Sequence, residues 1–242
     1  MLSPSARHTQ ASMLTLAGSA ALAALSACAA NRTSAPAEPA AFAPHIRGYT
    51  DDGNSIPNRP GPFIGQRIGD AAMLDADGRT VSLNSLRRPG PYVITFYRGG
   101  WCPYCDAALR EWQGRVGELE AMGVRFYAVT FEKPDEAAHT ADATGAEFTI
   151  LSDHNHEAAD RFRLRFTMDE PTRERYRAAG VNLPEMNAAA DWDLPAPGTF
   201  VVDTNGVIRW AFADWDYTKR ADPSEVIAAA REVANVGPTR RY

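Results

Sequence analysis

The stretch Cys102-Pro103-Tyr104-Cys105 has residue types and a spacing that prescribe chemistry. Two thiols separated by two residues can close a small disulfide and reopen it. The run Tyr92 to Tyr97 just before them is β-branched and aromatic, and reads as a buried strand. Pro103 suits the first helical position, where a missing N–H costs nothing. Cys102 then becomes the N-cap, its sulfur facing free backbone N–H groups and the positive end of the helix dipole. Such settings lower a cysteine pKa to roughly 3.5–7.5. Cys102 is therefore expected as an exposed, activated thiolate at a strand-to-helix turn, with Cys105 one turn further on. Gly99 and Gly100 allow a tight turn, and Trp101 can cover one side of the pair.

Other uses of the cysteines fit less well. A zinc site needs four ligands, usually from a second CxxC or paired histidines, and no second pair exists. His154 and His156 follow a strand and read as turn or cap residues. No metal and no cofactor is expected.

The surrounding elements must hold this turn. Met73-Leu74 and Thr80 to Leu83 flank Asp75-Ala76-Asp77-Gly78 and predict an N-terminal hairpin. Val124 to Phe131 and Phe148 to Leu151 predict two more strands. Thr199 to Asp203 and Val207 to Phe212, joined by Thr204-Asn205-Gly206, predict a second hairpin. Leu109, Trp112, Val116 and Leu119 recur at helical spacing and predict one apolar helix face after Cys102. Further helices are expected from Pro134 to Gly145, His156 to Leu164, Pro171 to Ala179, and Asp222 to about Val233. The fold class is α/β, a mixed central sheet with helices on both faces. Pro197, just before the strand Thr199 to Asp203, resembles the cis-proline that thioredoxin-fold proteins place beside their reactive cysteines.

Phe96-Tyr97-Arg98-Gly99-Gly100-Trp101-Cys102-Pro103-Tyr104-Cys105, followed by Leu109-Arg110, resembles a peroxiredoxin-like branch of the alkyl hydroperoxide reductase C and thiol-specific antioxidant family. The resemblance runs from about Ile64 to Val233. It includes Leu151-Ser152-Asp153, Tyr176 to Gly180 and Asp214 to Tyr217. It implies a thioredoxin-like fold and thiol-driven peroxide reduction. Cys102 would attack the peroxide and become a sulfenic acid, which Cys105 would resolve to a disulfide. A periplasmic dithiol reductant would reopen it. The sequence departs from the family pattern at Thr95, where a proline is usual, and at Gly99, where a Thr or Ser hydroxyl is usual. Pro197-Gly198 stands where members often carry an arginine. Arg98 and Arg110 are the nearby candidates for stabilising the thiolate. CPYC itself is closer to glutaredoxin-like disulfide exchange. Three functions stay open: a peroxidase acting on hydroperoxides, a thiol–disulfide oxidoreductase acting on disulfides, and a metal-binding module. The segment from Leu164 to Leu194 exceeds a minimal thioredoxin core and is expected to act as a lid or substrate wall, with Trp192 and Trp215 as candidate lining.

The chain has 242 residues, 45% of them hydrophobic, a net charge of −5 and three cysteines. That composition excludes wholesale disorder. The acidic balance argues against nucleic acid as a partner, and three cysteines are too few for a disulfide scaffold. The third cysteine, Cys28, ends Leu25-Ser26-Ala27-Cys28 after a short Leu/Ala run, and this resembles a bacterial lipobox. That implies cleavage before Cys28, lipid on its thiol, and membrane attachment facing the periplasm. Ala29 rather than Asp follows, which points to the outer membrane. The expected organisation is a signal peptide over 1–27 and a tether over 28–60, then one thioredoxin-like domain over 61–237 and a tail over 238–242. A flexible tether of that length reaches roughly 30 Å.

Overall fold

The computed structural model describes residues 60–88 and 90–236. The signal segment, Cys28, the tether up to residue 59 and the tail lie outside the described residues.

Strands β1 (Ala72–Leu74) and β2 (Thr80–Ser82) form the expected N-terminal hairpin, closed at Gly78 with φ 75°. Leu83 leaves the strand and opens the short helix α1 (Leu83–Leu86). Strand β3 (Tyr92–Phe96) leads into α2 (Pro103–Gln113) and α3 (Val116–Glu120). The sequence pattern predicts one helix here. Gly114 and Arg115 interrupt it, yet Trp112, Val116 and Leu119 still face one core. Apolar periodicity survives the break because the second helix continues the same face, and glycine is a weak helix former.

Strand β4 (Arg125–Thr130), α4 (Pro134–Thr144) and β5 (Thr149–Ser152) follow as expected, with Gly145 in the left-handed conformation ending α4. Helix α5 (Glu157–Arg161) is shorter than the sequence suggests. His156 caps it with φ 64°, and the Asp153 carboxylate accepts N–H groups of Ala158 and Ala159 at 3.0 and 2.7 Å. Next come β6 (Arg165–Thr167), α6 (Glu170–Ala178), α7 (Leu183–Met186) and β7 (Asp193–Pro195). The chain ends with β8 (Gly198–Val202), β9 (Ile208–Ala213) and α8 (Pro223–Val236).

Seven strands form one mixed sheet in the order β2-β1-β5-β4-β3-β8-β9, with β3, β4 and β5 parallel. Alternate residues of β3 serve opposite faces. Tyr92, Ile94 and Phe96 join a core with α1 and α5, whereas Val93 joins a core with α2, α3, α4 and α8. That alternation puts helices on both faces. A separate pair, β6 with β7, was not legible in the sequence. Its three-residue strands are below the length at which alternation can be recognised. It belongs to a third apolar cluster of Phe166, Met168, Tyr176, Val181, Leu183, Trp192, Leu194 and Tyr217.

Candidate active site

Strand β3 aims the chain at the N-terminus of α2, and Cys102 is the N-cap with Pro103 in the first turn. The Cys102-to-Cys105 turn is held by the Cys105 N–H donating to the Cys102 carbonyl at 2.9 Å. Both cysteines are free thiols, and both are fully buried. This corrects the expectation of an exposed Cys102. Trp101 and Tyr104 pack against the third cluster, so the segment after Leu164 closes over the pair. Trp192 and Trp215 belong to that cover as packing residues. Trp192 is buried within it, and Trp215 also touches the core beneath the sheet.

Arg98, at 2% exposure, lies buried against this lid. Its Nη1 donates to Cys102 Sγ at 3.7 Å, and its Nη2 donates to the Tyr176 hydroxyl. The guanidinium also lies 4.9 Å from the Trp101 ring, 5.8 Å from Tyr176 and 4.1 Å from Tyr217. Such ring faces attract a desolvated cation. Arg110, the other candidate, does not face the sulfurs. It is exposed, pairs with Asp106 at 3.3 Å and caps the Ala143 carbonyl.

Arg220 was missed by the sequence reading, because it lies far from the CxxC in sequence, in the loop before α8. Its Nη2 donates to Cys105 Sγ at 3.2 Å. A cavity of about 10 Å³, room for one water at most, reaches Cys105 between Arg220, Thr95 and Thr199.

The two thiols ionise as a unit. The Cys102 thiol is pushed up, first by its hydrogen bond to Cys105 and then by burial. Burial opposes ionisation of Cys105, yet the Cys102 S–H, Arg220 and Arg98 together hold its pKa well below the thiol range. The shared charge is favoured on Cys105, where Arg220 donates to the sulfur at 3.2 Å. This runs against the expectation of a lowered pKa at Cys102, since its hydrogen bond to Cys105 and its burial both favour the thiol.

Glu132 is a second group missed earlier. It is 1% exposed, accepts the Gly100 N–H at 3.0 Å, and burial pushes its pKa up to about 7. Gly99 has φ 153°, and a Cβ there would lie 2.2 Å from Trp101 Nε1 and 2.8 Å from Glu132 Oε1. The position that carries a hydroxyl in the family pattern is thus filled by Trp101 and Glu132. Thr95 instead shares a 2.8 Å hydrogen bond with Thr199 on the neighbouring strand. Pro197 is buried and directly precedes Gly198, which pairs with Phe96. It thus stands level with the exit of β3 toward the CxxC turn.

A parallel core flanked by antiparallel strands, with a CxxC at the N-terminus of a helix, defines a thioredoxin-like redox protein. The AhpC/TSA family model matches residues 64–211, and the chain belongs to that family. Over 92 residues it is 28% identical to peroxiredoxin Bcp of Escherichia coli, covering 38% of this chain and 58% of that protein. Over 119 residues it is 25% identical to the thiol-disulfide oxidoreductase ResA of Halalkalibacterium halodurans, covering 49% and 66%. The chain spans about half to two thirds of the length of the curated relatives it matches. Among solved structures, peroxidoxin BcpB of Mycobacterium tuberculosis matches with TM-score 0.55 at 17% identity, over 70% of this chain and 97% of that one. Reduced Prx3 of Vibrio vulnificus matches with TM-score 0.56 at 17% identity, over 70% and 99%.

Proposed function

We propose that the chain is a thiol peroxidase that reduces hydrogen peroxide or organic hydroperoxides through Cys102 and Cys105. The observation that carries this reading is Arg98, a buried cation 3.7 Å from Cys102 Sγ. Shifting the shared proton from Cys102 to Cys105 moves the negative charge to the sulfur beside Arg98. The Cys102 thiolate attacks the terminal peroxide oxygen, the O–O bond breaks, and the departing alkoxide or hydroxide takes a proton from solvent. Arg98 stands where negative charge develops on that oxygen. Cys102 is left as a sulfenic acid. The Cys105 sulfur then displaces its hydroxyl, forming the disulfide and releasing water with the Cys105 proton. Glu132, with a pKa near neutrality, is placed to hold or pass that proton. A thioredoxin-like dithiol protein restores the thiols by exchange. Both sulfurs are buried, so the aromatic cover must open in each cycle.

The same reading places the enzyme in the cell envelope, lipid-anchored through Cys28 and facing the periplasm. Among the described residues no helix is long and apolar enough to cross a membrane.

Gly99 favours a second reading, thiol–disulfide exchange. The backbone there has no room for a peroxide-binding hydroxyl, and ResA, a named thiol-disulfide oxidoreductase, is among the relatives. Trapping separates the two. After one equivalent of hydrogen peroxide, Cys105→Ser protein is expected to carry a sulfenic acid on Cys102, captured by a dimedone probe and mapped by mass spectrometry. Cys102→Ser protein is expected to carry none. A probe adduct on Cys105 in the Cys102→Ser protein, or none in either variant, contradicts the peroxidase reading.

A further inference from the structure

His156, Asp191 and Asp193 meet on the far side of the cover. His156 lies at the entrance to α5, whereas both aspartates belong to the chain entering and forming β7. One nitrogen of the histidine and one oxygen of each carboxylate lie within 4.8 Å of one another. His156 is 5% exposed, and its Nε2 is buried with no hydrogen-bond partner. The nearest carboxylate oxygen, Asp191 Oδ2, is 3.5 Å away. A buried imidazole nitrogen aimed at two carboxylates without a hydrogen bond needs a reason, since such groups are almost always satisfied.

The orientation of each donor is fixed from behind. Asp191 Oδ1 accepts the Asp193 N–H at 3.1 Å, which turns Oδ2 toward His156. Asp193 accepts the Thr167 hydroxyl at 2.6 Å and the Arg165 Nη1 at 3.4 Å. The His156 ring packs tilted against Phe131, with ring centroids 4.2 Å apart. Such outer partners are what position the ligands of a metal. The charges facing His156 are Asp191, Asp193, Asp160 and Arg165. Arg165 binds Asp160 at 2.7 Å as well as Asp193, so with Asp191 the three carboxylates around His156 have one guanidinium to balance them. The two negative charges left over match a divalent cation, and Asp191 leaves a route from solvent.

We propose that His156, Asp191 and Asp193 bind one divalent transition ion of the class that accepts mixed imidazole and carboxylate ligands, as Zn²⁺ does. The ion would tie α5 to the segment carrying Trp192, and so fasten one edge of the cover over the thiols. The site shares no residue with the CxxC pair, and it stands whether or not the peroxidase reading holds.

The test is Zn²⁺ titration by calorimetry of the full chain with Cys28→Ser, Cys102→Ser and Cys105→Ser, which removes all three competing thiols. One ion per chain is expected, with a rise in melting temperature. Adding His156→Asn, which tolerates the left-handed backbone, is expected to weaken binding roughly 30-fold or more. Asp191→Asn is expected to do the same, and its half-exposed position keeps the protein folded. Absence of saturable binding, or affinity unchanged in Asp191→Asn, overturns the proposal.

Discussion

A guanidinium at 2% exposure has lost most of its hydration, which costs several kcal/mol unless charge and hydrogen bonds replace it. Around Arg98 that replacement comes from three ring faces, the Tyr176 hydroxyl and the Cys102 sulfur. The motif in the sequence located Arg98, but only the fold decides that it points inward. The same spacing argument made Arg110 a candidate, and it points to solvent beside Asp106. Arg98→Met is therefore expected to raise the first pKa of the thiol pair and slow peroxide reduction by at least about 10-fold, or 1.4 kcal/mol. Arg98→Lys should recover only part, lacking the planar fork that reaches sulfur and Tyr176 together. Thiolate absorbance against pH, measured beside the rate, checks both. An unchanged titration would remove Arg98 from the mechanism. Arg220 has no such motif to announce it. Its contact with Cys105 arises because α8 and its preceding loop return to the same face as α2, a long-range meeting that local pattern does not encode.

Among the elements, the strand-to-helix turn was legible because buried strand, glycines, proline and cysteines sit together in sequence. Its tightness was not. A Cβ on Gly100 would lie 2.1 Å from Thr140 Oγ1, so α4 presses directly on the turn. Gly100→Ala is expected to cost about 1–3 kcal/mol in urea unfolding. Adding Thr140→Ala should return part of that loss, as coupling between touching residues requires. Strict additivity of the two would contradict direct contact. The cover was legible as extra length and aromatic residues, whereas its β6–β7 pair and its closure over Cys102 were not. Leu183, fully buried in that cluster, offers a way to loosen it without touching Arg98. Leu183→Ala is expected to speed iodoacetamide labelling of Cys102 about 10-fold through local opening. Labelling at the parental rate would mean that the sulfur is reached from elsewhere.

For the molecule as a whole, two buried carboxyls contribute to the pH response with the same sign. Burial raises Glu132 from 4.5 and Asp153 from 3.8, each to about 7. A raised folded pKa means that the fold prefers the protonated acid. Their stabilising contribution is complete below the unfolded values and is lost as pH rises through about 7. These two groups should therefore lower the unfolding free energy between about pH 4 and 7, against the opposite contribution of the depressed Cys105 thiol. Glu132→Gln should flatten that fall by up to about 3 kcal/mol, and identical pH profiles for both proteins would contradict the assignment. The loss of stability falls in the range where the thiol pair must ionise, so the fold carries the acid for its site rather than for its own strength. Whether that site serves peroxides is settled most directly by stopped-flow fluorescence of the reduced chain, since Trp101 adjoins Cys102. Hydrogen peroxide or an alkyl hydroperoxide is expected to oxidise the chain at least roughly 100-fold faster than a free cysteine thiolate, with the signal lost in Cys102→Ser. Oxidation no faster than the free thiolate, beside rapid reaction with a model disulfide, would contradict the account.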